Sequence, residues 1–102
     1  MYQKNKRIES KKLRDSAKGQ QCQVRLAVCN FNPETTVLAH VGGAGMALKS
    51  DDYQAAFACS SCHDEIDRRT RHFETDYVKL AHLEGVMRTQ RIWFDMGLMA
   101  IK

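Results

Sequence analysis

The sequence predicts a small α+β domain, with short strands in its middle, a helix that follows a cluster of metal-ligating side chains, and a long C-terminal helix. Three observations carry the prediction. The run Ala58-Cys59-Ser60-Ser61-Cys62-His63-Asp64-Glu65-Ile66-Asp67 packs two thiols, an imidazole and three carboxylates into ten residues, and its Cys-x-x-Cys spacing lets both sulfurs reach one ion. Thr35 to Val41 is rich in β-branched and apolar residues, as a strand is. From Thr75 onward Tyr77, Leu80, Ala81, Leu83, Glu84, Met87, Ile92, Trp93 and Met96 recur at helical spacing across about twenty-five residues. A chain of 102 residues has room for one domain, and a chain so short gains from a metal staple.

Taken in order, Met1 to about Asn5 reads as disordered. Ile8 to Lys18 holds good helix formers but only Ile8, Leu13 and Ala17 as apolar residues, so a marginal, exposed helix is expected. Gly19 breaks it. Cys22 to Cys29 alternates apolar and polar residues in the manner of a strand. Six residues separate its cysteines, more than a zinc knuckle allows, so they must converge through a loop or turn. Asn30-Phe31-Asn32-Pro33-Glu34 is a turn cluster, and the strand Thr35–Val41 follows with His40 near its end. Gly42-Gly43-Ala44-Gly45 is a permissive loop; Met46 and Ala47 replace the Lys-Ser/Thr that a phosphate-binding P-loop requires. Ser50-Asp51-Asp52-Tyr53 opens a segment capped by Ser50 or an aspartate, and a short helix or second strand then leads into Cys59. A helix is expected from Cys62 to about Phe73, with Ile66 inward and Asp64 and Glu65 in its first turn, where acids suit the helix dipole. Thr75 caps the last helix, which Gly85 and Gly97 weaken locally. Its aromatic and methionine side chains suit packing or a homodimer through this helix.

The composition, 43% hydrophobic and 27% charged, is that of a soluble protein, and no apolar run approaches a membrane span or a signal-peptide core. No membrane partner is expected, and the cytoplasm is the expected compartment. There, four cysteines are more readily metal ligands or redox groups than two disulfides. Net charge is +4, but residues 1–18 carry seven Lys or Arg against two acids, a balance of +5, which leaves about −1 on the rest. The chain therefore divides into a basic N-terminal segment, 1–18, and a single zinc-binding domain, 19–102. A basic leader suits a phosphate backbone, and DNA is the partner it implies; a solvated terminus explains the charge equally well. Lys11, Lys12 and Arg14 in the leader, and Arg68, Arg69 and Arg71 after the knuckle, are the candidate phosphate contacts.

Several chemistries compete for the thiols. Cys59-Ser60-Ser61-Cys62-His63 matches the attachment pattern of c-type haem, but haem would leave Cys22 and Cys29 without a role and implies export. A thioredoxin-like dithiol lacks its preceding strand in a βαβ unit, and a cysteine protease needs one nucleophilic thiol rather than paired ones. In the remaining reading Cys22, Cys29, Cys59 and Cys62 hold a structural Zn2+. His63, with Asp67 four residues on along one helical face or with one of Asp51 and Asp52, then projects toward a second, catalytic cation, Mg2+ or Mn2+. A strand bringing His40 opposite that helix makes a ββα-metal arrangement. Phosphodiester hydrolysis needs an activated water, a cation and positive charge for the substrate, and His40 would be the base. Alone, a histidine on a mostly apolar strand reads more readily as a hydrogen-bonded core residue. His72 and His82 read as helix-surface or packing residues.

Ala39-His40, the glycine-containing loop and Ala58 to Asp64 resemble the HNH nuclease superfamily. More narrowly, Cys22 through His40, with Asn32-Pro33-Glu34-Thr35-Thr36-Val37-Leu38-Ala39-His40, together with Ala58 to Asp64 and Ala81-His82-Leu83-Glu84-Gly85-Val86, resembles the small YbcO-like nucleases of lambdoid phages and prophages. The similarity covers about Leu13 to Gln90. It implies a ββα-metal (HNH, or His-Me finger) core, His40 as general base, His63 as ligand of the catalytic metal, and the four cysteines on structural zinc. In two places the chain departs from the superfamily's pattern: Ala39 stands where many members carry an Asp or His ligand, and Gln54 where the middle Asn is common. The expected function is a metal-dependent DNA endonuclease of phage or prophage origin. The alternative is a non-catalytic zinc module that binds DNA or a phage or host recombination protein.

Overall fold

The computed structural model describes residues 8–42 and 51–101. Met1 to Asn5, the leader residues Lys4, Lys6 and Arg7, the glycine loop beyond Gly42 and the Ser50 cap lie outside them. Helix α1 spans Lys11–Ser16, a 3-10 turn Pro33–Thr35, strand β1 Val37–His40, strand β2 Ala55–Ala58, helix α2 Ser60–Ile66 and helix α3 Thr75–Asp95. The result is a small α+β fold. The two strands pair antiparallel with Val37 opposite Ala58 and His40 opposite Ala55, and α2 follows β2 directly.

Strand β2 is buried along its whole length, and α3 packs across it. Side-chain alternation splits the core in two. Ala56 and Ala58 face a cluster with Val24, Leu26, Ala39, Val78, Val86 and the four cysteines, whereas Phe57 joins Leu13, Ala17 and Trp93. The Phe57 and Trp93 rings meet edge to face, centroids 5.6 Å apart, and Trp93 Nε1 donates to Ser16 Oγ at 2.7 Å. The N-terminal helix is therefore shorter than the expected Ile8–Lys18 and is not simply exposed: Leu13 and Ala17 are buried.

Other elements also differ from expectation. Cys22–Cys29 is irregular rather than a strand. Eight extended residues would hold their ends about 23 Å apart, whereas this segment reverses through Arg25, at φ 60°, and a turn closed by Cys29 N donating to Leu26 O at 2.9 Å. Its alternating pattern records which side chains of the loop are buried. Helix α2 stops at Ile66, with Arg68 left-handed at φ 61°, so Glu65 lies in its last turn rather than its first. The wholly buried Glu65 carboxylate gathers the loop that follows, accepting from Thr70 Oγ1 at 2.7 Å, His72 Nδ1 at 3.0 Å and Phe73 N at 2.9 Å. Desolvation opposes its charge, but these bonds outweigh it and hold its pKa down to about 2.

Helix α3 is as long as its periodicity predicts, but it begins behind Glu74 rather than behind a Thr75 cap, and the turn at Gly97, φ 77°, follows its end. Its inner face takes only Trp93, Ala81 and Ile92 from the apolar stripe. Tyr77, Leu80, Leu83, Met87 and Phe94 are exposed, while Val78, His82, Gly85, Val86, Thr89 and Trp93 are buried. Polar members of that face are satisfied: Thr89 Oγ1 accepts from Phe57 N at 3.0 Å, and His82 Nε2 donates to Ala39 O at 2.8 Å. Close approach explains the glycine on this face. A Cβ at Gly85 would meet Gln23 O and Val24 Cγ2 at 3.1 Å, so this glycine lets α3 press against the loop that carries Cys22.

Candidate active site and metal centre

The loop 22–29 and the β2–α2 junction bring the four cysteines together. Cys59 is the N-cap of α2, its Sγ accepting from Cys62 N at 3.4 Å, and one helical turn carries Cys62 to the same side. All four are free and at most 9% exposed, and their sulfurs lie within 4.8 Å of one another. Cys59 and Cys29 sulfurs are 3.7 Å apart, close to the about 3.8 Å edge of a tetrahedron with Zn–S bonds of about 2.3 Å. A buried quartet of sulfurs this close together fits Zn2+. The thiols are unequal. The hydrogen bond between Cys62 and Cys22 lowers the Cys22 pKa to about 4 and pushes Cys62 up, while burial pushes Cys29 up to about 11. Loading a divalent ion must then displace protons.

Strand β1 sets Ala39 inward, in the same cluster as the cysteines, at 1% exposure, and leaves its neighbour His40 half-buried on the opposite side of the strand. His40 Nε2 lies 2.9 Å from Asp52 Oδ1. Asp52, wholly buried, accepts from Ser10 N through Oδ2 at 2.6 Å and lies 3.7 Å from Arg14 Nε. On α2, His63 Nε2 and the Asp67 Oδ2 at its C-cap are 3.3 Å apart, as their i,i+4 spacing predicts. His82, buried on α3, feels His63, Asp67 and His40 electrostatically, and burial holds its pKa below the ordinary value. Among the described residues only the cysteines bring three or more metal-ligand atoms within 4.8 Å of one another. The His63–Asp67 pair by itself offers two donors.

The basic candidates fall into different settings. Arg14 lines an open groove of about 600 Å³ with Lys18, Glu34, Thr36, Leu38 and His40. Lys11 pairs with Asp15 at 2.7 Å, and Lys12 is exposed. Arg68 turns back, donating to Phe73 O at 3.0 Å, Arg69 pairs with Asp64 at 3.2 Å, and Arg71 is exposed. Asp52 reads in sequence only as a cap or cation ligand, and His82 only as a helix-surface or packing residue. Spacing with Val78, Val86, Thr89 and Trp93 puts His82 on one face of α3, but nothing local shows the face to be inward.

A family model described as "Putative nuclease YbcO" matches residues 11–98. Proteins so named from Escherichia coli (strain K12) and from Enterobacteria phage 82 are each 52% identical over 90 residues, covering 84% of this chain and 94% of theirs. A solved structure titled as a "putative bacteriophage protein" from Escherichia coli K-12 superposes with a TM-score of 0.75 at 50% identity, covering 84% of this chain and all of that one.

Proposed function

Because the chain belongs to the YbcO family, we propose that it is an HNH-type endonuclease that hydrolyses phosphodiester bonds in DNA, with His40 as general base. One observation supports this most: the histidine at the end of β1 is held by a buried carboxylate at the rim of a groove that Arg14 and Lys18 also line. His40 takes a proton from water as its oxygen attacks phosphorus, the bond from phosphorus to the leaving sugar oxygen breaks, a solvent water returns a proton to that oxygen, and the basic side chains hold flanking phosphates. Cys22, Cys29, Cys59 and Cys62 would hold structural Zn2+. His63 and Asp67 would hold Mg2+ or Mn2+, which would neutralise charge on the scissile phosphate. Lys11, Lys12, Arg69 and Arg71, on the surface, contribute general attraction to the duplex, and the relatives' sources favour a phage or prophage role. The exposed stripe Tyr77, Leu80, Leu83, Met87 is where a second copy would dock; a monomer mass at high concentration excludes that.

The second reading, a zinc module that binds DNA or a recombination protein without cutting, gains from Ala39. It is buried and offers no ligand beside His40. Cleavage of plasmid and branched DNA with Mg2+ or Mn2+ separates the readings. Wild type should cut and His40→Ala should lose about 10²–10⁴-fold with zinc content intact. Equal cutting removes His40 as base, and no cutting by either favours the binding module.

A further inference from the structure

We propose that Asp52 is the positioning residue of His40, selecting the imidazole tautomer, and that the N-terminal strap Ile8–Arg14 holds Asp52 for this task. The inference rests on His40 being the general base. It starts from how completely Asp52 is enclosed: its side chain is wholly buried, yet both oxygens have partners. Oδ2 accepts from Ser10 N at 2.6 Å with Arg14 Nε at 3.7 Å, and Oδ1 faces His40 Nε2 at 2.9 Å. The backbone repeats the clamp, with Asp52 N donating to Ile8 O at 2.9 Å and Ile8 N donating to Asp51 Oδ1 at 2.7 Å.

A carboxylate has no proton to give, so His40 must donate from Nε2, and in the neutral ring the basic lone pair is then on Nδ1. Ser10 N–H also demands an acceptor. Together the two donors leave a carboxylate as the group that serves both. An Asn of the same shape has one oxygen and one NH2. If its oxygen accepts from Ser10 N, its NH2 faces His40 Nε2, which must become the acceptor, and the ring proton moves to Nδ1. The base would then carry a proton where it must receive one, a fault known to cost hydrolases about 10⁴-fold in turnover. The strap that reads in sequence as a basic leader thereby bears on the chemistry.

Long-range ¹⁵N NMR of the imidazoles tests this on the zinc-loaded full chain, beside cleavage by the same samples. The wild type should show His40 protonated at Nε2, and Asp52→Asn should reverse the tautomer and lower cleavage about 10²–10⁴-fold with zinc content unchanged. An Asp52→Asn chain that keeps the Nε2–H tautomer overturns the proposal. Should that variant fold poorly, Asp52→Ala replaces it. Loss of the single tautomer then supports positioning, and its retention overturns it. The tautomer is read without turnover, so a wild type that does not cleave refutes the nuclease reading while the NMR still decides the role of Asp52.

Discussion

Replacing Cys59 by alanine should unfold the domain or bring it to the edge of unfolding. Cys59 is wholly buried, caps α2 through its sulfur, and stands 3.7 Å from the Cys29 sulfur, so it ties the 22–29 loop to the β2–α2 junction. Structural zinc sites of four ligands bind with about 10–16 kcal/mol, and one thiolate in four carries on the order of 3–4 kcal/mol. The lost cap to Cys62 N adds about 0.5–1 kcal/mol. Against a total stability of about 5–15 kcal/mol, a loss of about 4 kcal/mol is most of what a marginal domain has. At about 4–8 °C per kcal/mol for a domain near this size, the melting point should fall by about 20 °C or more. Thermal melts followed by circular dichroism, with zinc measured on the same samples, provide the test. Ser61→Ala, between the two cysteines, should change little. A Cys59→Ala chain with unchanged melting and a full complement of zinc would falsify the four-thiolate site.

Acid sensitivity should trace in part to Glu65. Its folded pKa, about 2, lies below its unfolded value of about 4.3, so its contribution is fully present above pH 4.3 and is lost as pH falls from there toward 2. Glu65→Gln should flatten that part of a plot of melting temperature against pH; an unaltered acid limb would rule the carboxylate out. Gly85→Ala gains about 1 kcal/mol of helix propensity. It also sets a methyl 3.1 Å from Gln23 O, a carbonyl already fixed by Arg88 Nη1 at 2.7 Å and by Gln23 N donating to Phe57 O at 2.8 Å. Overpacking of about 1–3 kcal/mol should win, giving a net loss of roughly 1 kcal/mol; a higher urea midpoint would show that the loop yields.

The sequence by itself determined what depends on spacing along one chain. Cys59 and Cys62 are three apart at a helix start, His63 and Asp67 four apart from its middle to its C-cap, and a long repeat at helical period made α3 legible. The small α+β class and the strand ending in His40 followed from the same local rules. The tertiary structure decided which face of each element turned inward. The apolar repeat of α3 suits packing or a subunit contact, yet Tyr77, Leu80, Leu83 and Met87 stay outside, while Trp93 is buried along with Val78 and Val86, the loop at Gln23 admits only a glycine where α3 crosses it, and His82 and Thr89 are hydrogen-bonded across the inner face. Cys22 and Cys29 reach the other pair through the turn that their six-residue spacing demands, although alternation alone reads as a strand. Asp52 finds its meaning only when Ser10, 42 residues away in sequence, and His40 close around it. Burial and long-range hydrogen bonding are properties of the closed fold, and no local pattern encodes them.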